Sequence, residues 1–171
     1  MKTSTTFLLT LLVFGGAFNV AYGECKDNIT PSTPNSRFAL NENGTVTDTQ
    51  TGLMWMRCSL GQTWDGSTCT GSASTYTWAQ ALASADESNY AGFSDWYLPN
   101  IKELNSIVET ACYDPAINQT VFPNTPSSGY WSSSPYAYYG SSAWLVSFSN
   151  GYDGGNSKNY NRHVRLVRAG Q

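Results

Sequence analysis

The chain has 171 residues, with 9 Lys and Arg against 12 Asp and Glu and a formal net charge of −3. That length suits one ordinary domain with a sizeable core. Mild acidity argues against a nucleic-acid partner, because phosphate binding leans on Lys and Arg.

Lys2, an uncharged run over residues 3–20 with its apolar centre at 7–14, and the small residues of Ala21-Tyr22-Gly23 predict a signal peptide over residues 1–23. The apolar centre is short for a bilayer span, and no later segment has the length of a transmembrane helix. The expected setting is secreted, periplasmic or cell-surface. An exported chain with Cys25, Cys58, Cys69 and Cys112 predicts disulfides. Four cysteines allow three connectivities. The favoured one pairs Cys58 with Cys69 across a short Gly/Ser/Thr-rich loop and Cys25 with Cys112 across a long one. A single His and the absence of Cys-x-x-Cys spacing argue against zinc, and no Asp-x-Asn-x-Asp-Gly loop specifies calcium. No metal and no cofactor are expected.

Residues 24–36, with Pro31 and Pro34, read as an extended N-terminal tail, and residues 37–171 as the domain. Thr45-Val46-Thr47-Asp48 and Leu53-Met54-Trp55-Met56 flank a connection closed by Gly52, a hairpin pattern. Residues 57–75 read as a loop. Thr77-x-x-Gln80 and Asn100-x-x-Glu103 are capping boxes, each followed by apolar residues at helical spacing. They predict helices from Thr77 to about Ser88 and over residues 101–109. Strands return at residues 143–148 and 164–167. The prediction is an α+β domain with a mainly antiparallel sheet, two short helices and long loops, stabilised by disulfides. Trp55, Trp78, Trp96 and Trp144 sit in strand or helix patterns and are expected in the core.

Residues 135–142 and 150–161 differ in kind, being Tyr, Ser, Asn, Gly and Asp almost throughout. Tyr gives large contact area at low entropic cost, and Ser, Gly and Asn give adaptable hydrogen bonding, as in antibody paratopes. Tyr136, Tyr138, Tyr139, Tyr152 and Tyr160 show no burial periodicity and are candidate contact residues. Lys158, Arg162, Arg165 and Arg168 concentrate positive charge near the C-terminus, a candidate edge for anionic ligands.

Catalytic patterns are sparse. His163 is a lone base inside a basic strand, and there is no Gly-x-Ser-x-Gly elbow or P-loop. No enzymatic activity is expected. The alternatives are a glycan-directed hydrolase using Asp95 with a second carboxylate, and a structural subunit of an envelope assembly.

The order of several motifs resembles a bacterial family. They are Gly52-Leu53-Met54-Trp55, Thr77-Trp78-x-x-Ala81 and Asp95-Trp96-Tyr97-Leu98-Pro99-Asn100-x-Lys102-Glu103-Leu104, followed by Tyr130-Trp131-Ser132-Ser133-Ser134, Ala143-Trp144-x-Val146-x-Phe148 and Val164-Arg165-Leu166-Val167-Arg168. Together they are similar to the DUF1566 domain, the C-terminal domain of bacterial collagen-like adhesins. The resemblance implies a C-type lectin-like fold and an adhesion role. The ligand it implies is a glycan, sulfated polysaccharide included, or a surface protein. Oligomerisation is left open, since the chain has no collagen-like stalk. The C-terminal half is also similar to the variable regions of retroelement-diversified proteins. That likeness singles out Tyr136, Tyr138, Tyr139, Asn150, Tyr152, Asp153, Asn156, Asn159, Tyr160 and Asn161; the clustered charge places Lys158, Arg162 and Arg165 at the edge of that contact face. The Glu-Pro-Asn or Gln-Pro-Asp motif of calcium-dependent lectins is missing.

Overall fold

The computed structural model describes residues 24–170, so the expected signal peptide lies outside the described residues. The chain begins with β1 (Glu24–Cys25), then β2 (Phe38–Leu40), β3 (Thr45–Asp48) and β4 (Leu53–Met56). A short pair, β5 (Thr63–Trp64) and β6 (Cys69–Thr70), leads to α1 (Trp78–Asp86) and α2 (Ile101–Asn105). After β7 (Cys112–Tyr113) come β8 (Gly129–Pro135), β9 (Ser142–Ser147), β10 (Asp153–Ser157) and β11 (Val167–Ala169). Every paired strand is antiparallel. The result is an α+β domain in which a four-stranded sheet, β11-β4-β3-β2, joins the chain's C-terminal strand to its first hairpin. A three-stranded sheet, β10-β9-β8, carries the Tyr/Asn/Gly loops.

The β3–β4 hairpin forms where the sequence puts it, for local reasons. Gly52 adopts φ 72°, a left-handed conformation that costs a residue without a Cβ little. Its N–H closes the turn on Asp48 O at 2.8 Å. The buried Asp48 carboxylate accepts from Gln50 N at 3.0 Å, Thr51 Oγ1 at 2.7 Å and Arg37 Nε at 2.7 Å. The turn is therefore braced by an ion pair from just before β2.

Both capping boxes are made, with Thr77 and Gln80 opening α1 and Asn100 and Glu103 opening α2. Helix α1 ends close to its expected limit, but α2 stops at Asn105, well short of residue 109. The Ser106 hydroxyl bonds back to Glu103 O at 2.7 Å, and Val108 then leaves the helix to bridge Ile117. Ile107 and Val108 stay buried, so their helical spacing records burial and not helix. The expected loop over residues 57–75 contains the β5–β6 ladder.

Strand β8 separates two cores. Tyr130 joins the cluster of Trp55, Leu104, Phe122, Val146 and Phe148, while its neighbour Trp131 joins Met56, Ala81, Trp96, Ala143 and Leu166. Alternating strand residues face opposite sides, so the sheet is covered on both, by α2 on one and α1 on the other. Small Ala81 and Ala85 on the buried face of α1 let that helix approach closely.

The two disulfides are Cys25–Cys112 and Cys58–Cys69. The tail is more firmly held than an extended segment would be. Glu109, 3% exposed, accepts from Ser32 N at 2.9 Å and from Thr33 N and Thr33 Oγ1, both at 2.8 Å. It also accepts from Ala111 N at 2.9 Å.

Arg165 overturns its expected place at a ligand edge. It is 0% exposed and sits over the Phe122 ring at 4.7 Å. Its guanidinium donates to the carbonyls of Met56 and Arg57 and to Thr125 Oγ1 at 2.7 Å. The reason is tertiary. Chain segments ending β4 and following Phe122 leave acceptors pointing inward, and a long side chain from just before the last strand is what reaches them. Burial pulls its pKa down to about 10, partly offset by Tyr130.

Two outcomes follow from these anchors. Burial alone would raise the Glu109 pKa, but the hydrogen bonds from Ala111, Ser32 and Thr33 outweigh it and hold the carboxyl below its ordinary 4.5. Its contribution is therefore complete above that pH and is lost as pH falls through the depressed folded value. Glu109→Gln should remove this share of the acid dependence of stability, measured by denaturant midpoints between neutral pH and about pH 3. Arg165→Ala should destabilise the fold by about 3 kcal/mol or more, since it opens a cavity and orphans buried carbonyls. Chemical denaturation of the variant checks this.

Candidate functional site

The loop joining β8 to β9 and the C-terminal end of β10 lie at the same end of the sheet, because Pro135 pairs with Ala143 and Ser157 with Ser142. Here four rings form an array. Tyr136 packs edge-on against Trp144 at 4.7 Å and stacks near Tyr139 at 6.3 Å, and Tyr139 meets Tyr138 edge-on at 4.7 Å. Tyr138 at the outside is 79% exposed and Tyr139 59%. Gly155 makes the seat, since a Cβ there would lie 2.9 Å from Tyr136 ring atoms. A strand glycine with no side chain thus lets an aromatic ring lie flat on the sheet.

Lys158 braces the array from behind. Its backbone N–H bonds to Ser141 O at 2.9 Å, its Nζ to Gly140 O at 2.8 Å, and its ammonium lies 4.4 Å from the Trp78 ring centroid. Trp78 in turn donates to Ser132 O at 2.8 Å. Lys158 therefore fixes one loop to the other. Half-buried Asn156 lies near the same end of β10.

The remaining candidates lie elsewhere. Asn150, Tyr152 and Asp153 are at the opposite end of β10, a strand of 5 residues at about 3.3 Å each. There Asn150 Oδ1 accepts from Tyr152 N at 3.2 Å and Asp153 Oδ2 from Asn105 Nδ2 at 2.7 Å, while Tyr152 is 76% exposed. Asn159, Tyr160 and Asn161 form an exposed turn after β10. Beside it the Arg162 guanidinium is 5.7 Å from the Tyr160 ring, and the Arg162 backbone is bonded to Tyr76. The domain thus holds separate aromatic patches, and two residues expected in the core, Trp144 of the principal patch and Trp78 beside Lys158, are half-buried. Their strand and helix periodicity is a true signal of placement, but they lie where the core reaches the surface. The Gly154-Gly155 pair inside a strand is the available sign of close ring packing.

The C-terminal bases do not form a surface patch. Arg165 is buried, Lys158 is engaged, and Arg168 makes a two-pronged pair with Asp95 at 2.6 and 2.9 Å. The hydrogen bond from Arg168 also holds the Asp95 carboxyl below the usual carboxylate range. That pairing ties up the carboxylate on which a hydrolase reading would depend. Among the described residues, no group of three or more His, Cys, Asp or Glu could hold a metal ion, and no helix is long and apolar enough to cross a membrane.

Fold and site together define a disulfide-stapled α+β domain that displays a supported tyrosine surface. The chain belongs to the Lcl C-terminal domain family, whose model matches residues 44–168. No curated protein matches it. The matched span omits the tail that Glu109 and Cys112 hold, so the tail side of that clamp lies beyond the span shared with the family.

Gly155→Ala should displace Tyr136 and disorder the ring array at a cost of about 1 kcal/mol. The near-ultraviolet dichroism of the coupled Tyr and Trp rings should change while the thermal midpoint moves by only a few degrees. An unchanged spectrum would mean that Gly155 is not the seat of the array.

Proposed function

We propose that this chain is a non-enzymatic, exported adhesion domain that binds a glycan through the Tyr136–Tyr139–Trp144 array, on a C-type lectin-like frame. Family membership supports the adhesion-type role. The return of β11 to the N-terminal hairpin is consistent with the proposed frame. The observation that carries the ligand class is the exposure of Tyr138 and Tyr139 on rings already fixed below them. Exposed rings with little freedom left to lose suit stacking against the flat face of a sugar, with Ser141 in the same loop to orient its hydroxyls. Two disulfides suit an oxidising compartment.

Burial of Arg165, pairing of Arg168 with Asp95 and engagement of Lys158 favour an uncharged glycan over a sulfated one. Glycan-array binding should be lost in Tyr138→Ala/Tyr139→Ala, while the melting temperature stays within about 2 °C, as expected for exposed side chains. Raising salt from about 0.05 to 0.5 M should change the affinity less than about threefold, whereas a cluster of exposed bases would be strongly screened. Retained binding in the double variant would sink the site. A steep salt dependence would instead restore the sulfated ligand.

A further inference from the structure

The sheet face that bears the tyrosine array also bears a polar pair. Residues opposite one another in an antiparallel ladder share a face. Asp153, opposite Val146, therefore lies on the same side as Gly155, opposite Trp144. Helix α2 covers that side, since its Leu104 packs with Val146. From the end of α2, Asn105 Nδ2 donates to Asp153 Oδ2 at 2.7 Å. Asp153 is at the far end of β10, yet it stands only two residues from Gly155, the seat of Tyr136. At about 3.3 Å per residue the separation along the strand is about 7 Å.

The bond between them fixes what the pair presents to solvent. Asn105 directs its amide nitrogen at the carboxylate, which turns its Oδ1 to the other side. Among the described residues neither Asn105 Oδ1 nor Asp153 Oδ1 accepts a hydrogen bond, and no cation pairs with the carboxylate. Asp153 is exposed and Asn105 half-buried. Both are held in place. The turn before Asp153 is closed by Gly151 N on Ser147 O and Ser147 N on Tyr152 O, each at 2.7 Å. A Cβ at Gly151 would lie 2.8 Å from Val108 Cγ1, so this turn sits directly on the core. The Asn105 carbonyl accepts from Val108 N at 3.1 Å. Pinning the helix to the strand uses one oxygen. Two further acceptors are left beside the rings.

We infer that Asn105 and Asp153 form a hydroxyl-reading subsite of the tyrosine surface, accepting hydrogen bonds from two adjacent free hydroxyls of a neutral sugar. The ligand class follows from the chemistry of the pair. Two fixed acceptors call for two donors, and neighbouring hydroxyls on one sugar ring supply them. A sulfate or carboxylate on the sugar has no hydrogen to give and meets a carboxylate that no cation neutralises. Aromatic rings supply contact area, while a small number of placed polar groups sets orientation and selectivity. Bonds to an ionised acceptor are roughly twice as strong as neutral ones, so Asp153 carries the larger share. The inference rests on the glycan reading and names what in the sugar is read.

The test uses dextran, mannan and galactan, each also in O-methylated and in sulfated form. The unaltered protein should prefer a neutral polymer to its methylated form by about tenfold or more, since methylation removes the hydroxyl donors and leaves the sugar ring. Asp153→Ala should weaken binding of the free polymer by about tenfold and abolish that preference. Asn105→Ala should reduce the preference by a smaller factor. Asp153→Asn keeps an acceptor for Asn105 but removes the charge, so it should raise binding of the sulfated polymer relative to the neutral one. A pair that only pinned α2 to β10 would lower the melting temperature and leave the ratio of free to methylated binding unchanged. That ratio decides the matter even where a variant is destabilised. An unchanged ratio in Asp153→Ala would overturn the subsite and leave the glycan reading standing. If no neutral glycan binds the unaltered protein, both fall together.

Discussion

A single guanidinium, that of Arg165, holds the centre of this domain. Its four hydrogen-bond acceptors come from Met56, Arg57, Ser59 and Thr125, segments far apart in the chain. Val164 and Leu166 on either side of it face the second core, while Arg165 itself points toward Phe122 and Tyr130 of the first. Among the described residues no carboxylate pairs with it, and its Nε has no partner. Burying a cation is costly unless its hydrogens are used. Here the charge is spread over carbonyl and hydroxyl dipoles, with aromatic faces beneath it. Lysine could not replace this fork, because an ammonium on a thinner stem lacks the planar spread of donors.

Two further anchors extend that rigidity to the surface. The Glu109 carboxylate and the Cys25–Cys112 bond fasten the tail to the segment after α2. Lys158 does the same for the tyrosine loop, using its main chain, its ammonium and the Trp78 ring together. In each case a charged side chain that a surface reading would give to a ligand is spent on holding one loop against another. Exposed tyrosines are useful for recognition only if they are held still, since ordering a free loop on binding costs affinity. The array meets that condition through the glycine beneath it and the lysine behind it.

Much of this was legible in the chain. The hairpin, both helix starts, the mainly antiparallel α+β character and both disulfides follow from short-range patterns. Gly52 at a turn, capping boxes at fixed spacing and paired cysteines in a short loop each act over a few residues or leave few choices. The Cys25–Cys112 pairing followed once Cys58 and Cys69 were matched. The tyrosine loops were legible too, because tyrosines amid Ser, Asn and Gly have no burial period.

What the sequence by itself determined was local: where elements begin, which residues are apolar on one face, and which loops carry exposed tyrosines. Only the tertiary structure decided where the charges went. Alternation near the C-terminus placed Arg165 opposite Val164 and Leu166, and a strand with one wet face would expose it. Here both faces are covered, so the arginine is buried and must bond. The same distinction ended α2 early, since Val108 gained a partner in Ile117 that no local pattern announces. It also divided the predicted contact residues between the two ends of β10, because neighbours in sequence are set apart once the chain runs straight. Burial, pairing and separation are properties of what lies across the fold, and that information is spread over the whole chain.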